Sequence, residues 1–251
     1  MSRVLVFGYG LIAYVMFLGV LLYAIAFVGD FAFLSFIPQG IDTPAGDTPF
    51  WTAVGIDVAL LGVFAVQHSA MARQGFKDWW TNIIPEAAER STYVLVTNIL
   101  FIVLFWQWRP IELQIWSVES AAGIYAIWEL YAVGWGLVLV SSFLIDHFEL
   151  FGMRQVYAHF KGEEFQPPEF QTPGLYKIVR HPLLLGFLIA FWATPHMTAG
   201  HLLFAVLTTG YTLVGIFFEE RDLVDQFGDQ YREYRSQTGM LFPWPSGGGE
   251  D

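Results

Sequence analysis

Apolar residues in this chain gather in long, almost unbroken runs rather than in the alternation of a strand or the narrow stripe of a surface helix. The runs cover 4–28, 51–67, 92–106, 121–145, 182–194 and 201–218. A helix that crosses the hydrocarbon of a bilayer needs about 20 mainly apolar residues. Inside that hydrocarbon only a helix or a closed barrel satisfies its own backbone groups. The pattern therefore predicts an all-α polytopic membrane bundle. The first and fourth runs are long, and the second and third are shorter but continuous. The fifth is too short for a perpendicular crossing, and Pro195 follows it. The expectation is six membrane segments, or five if runs five and six form a tight hairpin. The first run exceeds the 7–15-residue apolar core of a cleavable signal peptide, so a retained first helix is expected.

Composition agrees with the pattern: 55% of the 251 residues are hydrophobic and 14% charged, with a mean hydropathy of +0.48. A soluble domain carries about 25% charged residues, so the lipid bilayer is the natural solvent here. The formal charge of −11 excludes nucleic acid as a main partner, because nucleic acid rewards clustered Lys and Arg. Residues 1–251 read as one integral membrane domain, with 173–244 as its C-terminal hairpin segment and 246–251 as a flexible Gly/acid tail.

Basic residues fix the orientation, because cytoplasmic loops of membrane proteins carry the excess of Lys and Arg. With both termini cytoplasmic, Arg3, Arg73, Lys77, Arg90, Arg154, Lys161, Lys177, Arg180, Arg221, Arg232 and Arg235 all fall inside, and Arg109 alone falls outside. The same alternation sorts the titratable residues. His68 ends the second run; Asp146, His147 and Glu149 follow the fourth; Arg180 and His181 precede the fifth; Glu219, Glu220 and Arg221 follow the sixth. All lie on the cytoplasmic face, where they predict a polar pocket sealed by helices. The bland alternative is that charged groups gather at helix ends to reach interfacial water.

The chain has no cysteine, which excludes disulfides, thiolate metal sites and a cysteine nucleophile. No helix offers an HxxH or HExxH spacing, so no metal is expected. Asp57 and Glu129 fall within spans, where a charge is costly and usually faces the bundle interior. They read as hydrogen-bonded packing residues, with a transporter's coupling acids as the alternative. His196 and His201 flank the outer turn between the last two runs and read as interfacial.

From Gly174 the sequence runs Gly-Leu-Tyr-Lys-Ile-Val-Arg-His-Pro-Leu-Leu-Leu-Gly. After the apolar hairpin come Glu219-Glu220-Arg221-Asp222-Leu223, then Phe227-Gly228-Asp229-Gln230-Tyr231-Arg232-Glu233-Tyr234, then Phe242-Pro243. This order resembles the isoprenylcysteine carboxyl methyltransferase superfamily. Upstream, Gln67-His68-Ser69-Ala70-Met71-Ala72-Arg73, Glu89-Arg90-Ser91-Thr92-Tyr93, Trp106-Gln107-Trp108-Arg109-Pro110 and Asp146-His147-Phe148-Glu149-Leu150-Phe151-Gly152-Met153-Arg154 are similar to the membrane-bound methanethiol S-methyltransferases and the related NnrU-like proteins. Two departures from the superfamily pattern weigh against a carboxyl acceptor. Where the superfamily often places an Arg and a Val-Pro pair, Ser236-Gln237-Thr238-Gly239-Met240 intervene, and Leu184 replaces a frequent Tyr. A prenylcysteine carboxylate thus lacks its expected arginine, whereas a small neutral acceptor does not need one.

The resemblance implies an S-adenosylmethionine-dependent enzyme of the bacterial inner (cytoplasmic) membrane. It would methylate a small thiol, with methanethiol giving dimethyl sulfide. It implies donor binding by Tyr176, Arg180, His181, Pro182, Leu184, Gly186, Glu219, Glu220, Tyr231 and Tyr234. The residue types suit that role. Pro182 fits the first helical turn, which puts Arg180 and His181 beside a positive dipole end suited to a carboxylate. Arg180 offers a bidentate fork, Glu219 and Glu220 offer acceptors for ribose hydroxyls or an ammonium, and Tyr231 and Tyr234 share a helical face that can wall an adenine. An alkanethiol is mostly protonated at neutral pH, so a histidine base is expected. His147 leads because Asp146 and Glu149 flank it; His68 and His181 are the others, and Arg154 is placed to steady a thiolate. The alternatives are another methyl acceptor (hydrogen sulfide, a lipid or a prenylcysteine) and a non-catalytic membrane assembly protein.

Overall fold

Ser2 opens the first helix by accepting the Leu5 amide on its hydroxyl (3.3 Å), and Ser120 caps the fifth in the same way through the Gly123 amide (3.3 Å). These are ordinary N-caps, each satisfying one amide that the helix cannot. The computed structural model describes residues 2–34, 36–44, 46–167 and 169–244; the tail at 246–251 lies outside the described residues. In chain order the elements are α1 (Arg3–Val28), α2 (Phe50–Ala72), α3 (Gln74–Trp80), α4 (Glu89–Gln107), β1 (Gln114–Ser117), α5 (Ala121–Ile145), α6 (His147–Leu150), α7 (Met153–Lys161), α8 (Pro182–Trp192), β2 (His196–Thr198), α9 (Ala199–Phe227) and α10 (Asp229–Gln237). The chain is 72% helical with almost no sheet.

Among the described residues, five helices are long and apolar enough to cross a membrane: α1, α2, α4 with the short turn before it, α5 and α9. The protein is an all-α polytopic membrane protein. The fifth run of the sequence becomes α8, only 11 residues long. At 1.5 Å per residue it covers about half of a ~30 Å hydrocarbon layer, so the hairpin alternative describes this region. The sixth run ends at residue 218 in the sequence, but α9 continues to Phe227 and carries Glu219 and Glu220 on a helical extension.

The chain divides into two compact units. The first comprises Met1–Ser117, Phe148–Pro167 and His196–Phe204. In it α1 packs on α4 and α7, and α2 packs on α4. The amphipathic α7 buries Val156 against Val6 and Ala88. Phe17 stacks on Phe151 at 3.7 Å, and Trp108 meets Phe27 and Phe204 edge-on. β1 and β2 pair antiparallel, with Gln114 opposite Thr198 and Ser117 opposite His196. His196 is exposed, but His201 is 1% exposed, with Nδ1 3.5 Å from Asp42 Oδ2. Thr198 donates to Asp42 Oδ1 (2.5 Å) and accepts the His201 amide (3.1 Å). The interfacial expectation therefore describes His196, whereas His201 belongs to a buried clasp. Asp57 is fully buried and accepts the Arg109 amide at 2.9 Å, a packing role supplied by the segment after α4.

The second unit comprises Val118–His147, Pro168–Pro195 and Ala205–Asp251. Its centre is the α5–α8 contact. A Cβ on Gly134 would sit 2.7 Å from the Ala190 nitrogen, and one on Gly186 would sit 2.6 Å from the Gly134 oxygen. Two helices approach this closely only where side chains are missing. Trp135 fills the adjoining layer against Phe187 and Phe191. Glu129 is exposed on α5. It does not share a unit with Asp57.

Candidate functional site

Pro182 starts α8 at its first helical position, and His181 is the N-cap. The sequence before it does not run free. Val179 forms a parallel bridge with Gly239, the Arg180 amide donates to the Gly239 carbonyl (2.9 Å), and the His181 amide donates to the Met240 carbonyl (3.2 Å). Segment 235–240, which interrupts the family-like pattern of the sequence, thus forms one wall of the site through its backbone.

That wall also decides what Arg180 does. The side chain is 4% exposed; Nε donates to Glu220 Oε1 at 2.7 Å. Nη1 donates to the carbonyls of Arg235 (3.1 Å) and Thr238. Two faces of the guanidinium are occupied from within, and among the described residues its Nη2 group makes no hydrogen bond. The open bidentate fork expected from sequence is therefore reduced to one nitrogen. His181 Nε2 lies 3.1 Å from the same Glu220 oxygen, and Nδ1 lies 3.5 Å from Glu219 Oε2. A carboxylate only accepts, so Nε2 carries a proton. Glu220 is 13% exposed and committed to both Arg180 and His181, whereas Glu219, at 53%, stands open to solvent.

Aromatic rings close the other side. Phe170 lies 5.2 Å from Phe227, 5.8 Å from Tyr231 and 5.6 Å from Tyr234, and the two tyrosines are 5.8 Å apart. Tyr234 donates its hydroxyl to the Tyr176 carbonyl (2.5 Å). The Tyr231 hydroxyl is buried with no hydrogen-bond partner among the described residues, on a side chain in the electrostatic reach of Glu220 and Arg180. Burial raises the Tyr176 and Tyr231 hydroxyls above the usual phenol range and pushes Tyr234 up to about 12. All three are neutral donors at working pH. An orphaned donor in a mostly satisfied cluster is the kind of group a ligand completes.

The site thus brings together Tyr176, Arg180, His181, Pro182, Glu219, Glu220, Tyr231 and Tyr234. Leu184 is half-buried on the first turn of α8. Gly186 lies one turn further along, in the α5 contact, where its missing side chain serves packing. Phe170 and the carbonyls of Arg235, Thr238, Gly239 and Met240 escaped sequence reasoning. Phe170 sits in an irregular Pro-rich stretch, and a carbonyl has no residue-type signature.

His147 is in the same unit, directly after α5, and is 4% exposed. Its Nδ1 lies 2.9 Å from Ser142 Oγ, and its ring stacks on Phe143 at 4.3 Å and 8°. Burial holds it below the ordinary histidine range, with Asp146 opposing. Of the flanking acids, Asp146 acts on the ring, while Glu149 falls in the other unit with its carboxylate on Gln155 Nε2 (3.1 Å). His68 and Arg154 also belong to that unit. His68 Nε2 is 2.6 Å from the Tyr93 hydroxyl and Nδ1 is 3.4 Å from Thr97 Oγ1; Arg154 is exposed on α7.

A methanethiol S-methyltransferase of Mycobacterium tuberculosis is 52% identical over 98% of this chain and 98% of its own length. Methanethiol S-methyltransferase 1 of Bradyrhizobium diazoefficiens is 51% identical over 96% of this chain and 83% of its own. A methanethiol S-methyltransferase of Crocosphaera subtropica is 48% identical over 97% and 94%. No solved structure matches the chain. The family model described as NnrU protein matches residues 58–241, a stretch that runs from α2 through the 235–240 wall, and the chain therefore belongs to the NnrU protein family.

Proposed function

We propose that this protein moves a methyl group from S-adenosylmethionine to the sulfur of methanethiol, releasing dimethyl sulfide, in a bacterial inner membrane with both termini cytoplasmic. The observation that carries the reading is identity of about one half, over nearly the whole chain, with proteins named methanethiol S-methyltransferase. The residues of the site fit such a donor. The orphaned Tyr231 hydroxyl, Arg180 Nη2 and the open Glu219 carboxylate supply polar partners for an amino acid and a ribose. The Phe170–Tyr231–Tyr234 box supplies aromatic faces for a base or a cationic sulfonium. When bound, the donor supplies a methyl group already activated on a sulfonium.

The protein's own share is alignment, exclusion of water and management of one proton. Glu220 holds Arg180 and His181 in fixed positions, and the 235–240 wall and the aromatic box keep water out. His147 would take the thiol proton and return it to solvent, while the acceptor sulfur gains the methyl carbon as that carbon's bond to the donor sulfonium breaks and the donor leaves as a neutral thioether. A base below the ordinary histidine range is unprotonated at neutral pH and ready to accept. The product is an uncharged thioether, which leaves through the bilayer without a dedicated channel.

The test is headspace gas chromatography of cells that express the protein and receive methanethiol. Dimethyl sulfide above the vector control supports the reading. Its absence, with the protein present in the membrane, overturns it. Calorimetry on purified protein separately reads donor binding, which Tyr231→Phe should weaken.

A further inference from the structure

Ser142 and His147 form a buried relay whose proton positions follow from counting. The Ser142 hydroxyl donates to the Leu139 carbonyl one turn back, at 2.8 Å, a common use of serine inside a helix. A hydroxyl has one proton to give. Toward His147 Nδ1, 2.9 Å away, Ser142 Oγ can therefore only accept, and Nδ1 carries the N–H. A neutral imidazole holds one proton, so the lone pair sits on Nε2. The ring lies flat on Phe143, with planes 8° apart, and the orientation that turns Nδ1 toward Ser142 is the one that makes this hydrogen bond. Asp146, at φ 109, ends α5 and turns residue 147 back over residues 142 and 143.

We infer that Ser142 is a positioning residue that fixes the tautomer of His147, so that the unprotonated Nε2 is the nitrogen offered to the acceptor. This rests on the reading of His147 as the thiol base. It also narrows the acceptor class. A lone pair welcomes a group that arrives with a proton to give, such as a neutral thiol, and repels a carboxylate. Carboxyl methylation, the activity of the wider superfamily that the sequence resembles, is disfavoured at this position.

The experiment is nitrogen NMR on the full-length protein in nanodiscs, labelled with ¹⁵N-histidine. The His147 signals are assigned by difference against His147→Gln. The expected result is a protonated Nδ1 and an unprotonated Nε2. In Ser142→Ala the ring loses its acceptor. Proton density moves onto Nε2, and kcat for methanethiol falls about five- to tenfold, the worth of one net hydrogen bond, with KM unchanged. Ser142→Thr keeps the hydroxyl and restores both readouts. Unaltered signals from the other histidines show that the variants remain folded. His147 protonated on Nε2 in the parent overturns the inference, as does a Ser142→Ala protein with the parental tautomer or the parental kcat. A parent that methylates no thiol at all overturns the functional reading instead, and the NMR measurement still decides the tautomer.

Discussion

Replacing Glu220 with Ala removes the carboxylate on which Arg180 and His181 both depend. Arg180 and Glu220 are 4% and 13% exposed in their side chains and 2.7 Å apart. At an effective dielectric near 20, unit charges about 4 Å apart attract by about 4 kcal/mol. Desolvation takes back much of this, so the intact pair contributes little net stability. Breaking it is another matter, because the surviving charge stays buried at a cost of about 3–5 kcal/mol. Arg180 keeps the Arg235 and Thr238 carbonyls, which lowers the expected loss to about 2–4 kcal/mol. For a chain of this size, at about 2–4 °C per kcal/mol, that is a fall in Tm of roughly 4–16 °C. Glu220→Gln keeps an acceptor but not the charge, for a loss of about 1–2 kcal/mol. Glu219→Ala, at a half-exposed position, should leave Tm near the parental value while weakening donor binding. The assay is thermal unfolding in one detergent, paired with calorimetry for S-adenosylmethionine. Glu220→Ala with the Tm of Glu219→Ala would refute the assignment of Glu220 as the anchor of the cluster.

Three further outcomes are expected. Gly186→Ala should lower thermal stability and monodispersity on gel filtration, because its Cβ would meet the Gly134 oxygen at 2.6 Å and the Val138 nitrogen at 2.8 Å; a variant as stable as the parent would show that α5 and α8 can part at no cost. His147 has a folded-state pKa below its unfolded value of about 6.5, so the unfolded chain takes up the proton first. Its stabilising contribution is present above that value and is lost as pH falls below it, and Tm measured downward from pH 7 should drop more steeply in the parent than in His147→Gln. Reporter fusions should place Lys161 and Arg232 in the cytoplasm and the loops at Gly40 and Ile111 outside; either basic residue found outside would overturn the orientation.

The long spans were legible because a bilayer imposes one strong rule on composition. Runs 4–28 and 121–145 match α1 and α5 within a residue at each end. Pro182 at the start of α8 was equally readable, since proline lacks the amide that a first turn does not need. That Arg180 and His181 share a face with Glu219 and Glu220 followed from a hairpin that returns the chain to its starting face, but their pairing with one another did not, because each was read as a group for a ligand. What stayed hidden is non-local or carried by backbone. β1 is four residues long, and its partner lies far along the chain. The last turns of α9 carry Glu219, Glu220, Arg221 and Asp222, so an apolar-run criterion stops at residue 218. Arg180 read as an open fork because nothing in Thr238 or Arg235 as residue types announces that their carbonyls will occupy it.

The 235–240 wall sets an order of assembly. During synthesis α5, α8 and α9 are all made before the carbonyls of Arg235, Thr238, Gly239 and Met240 exist, so the Arg180 guanidinium enters the membrane region with two of its later partners missing. Until they arrive, the charge is served by water at the helix mouth and by Glu220 once α9 folds back. The cluster around Arg180 is therefore closed by the last segment of the chain to be made, whose backbone carbonyls complete what Glu220 begins. A truncation before residue 235 would keep every long helix and remove this half of the Arg180 coordination.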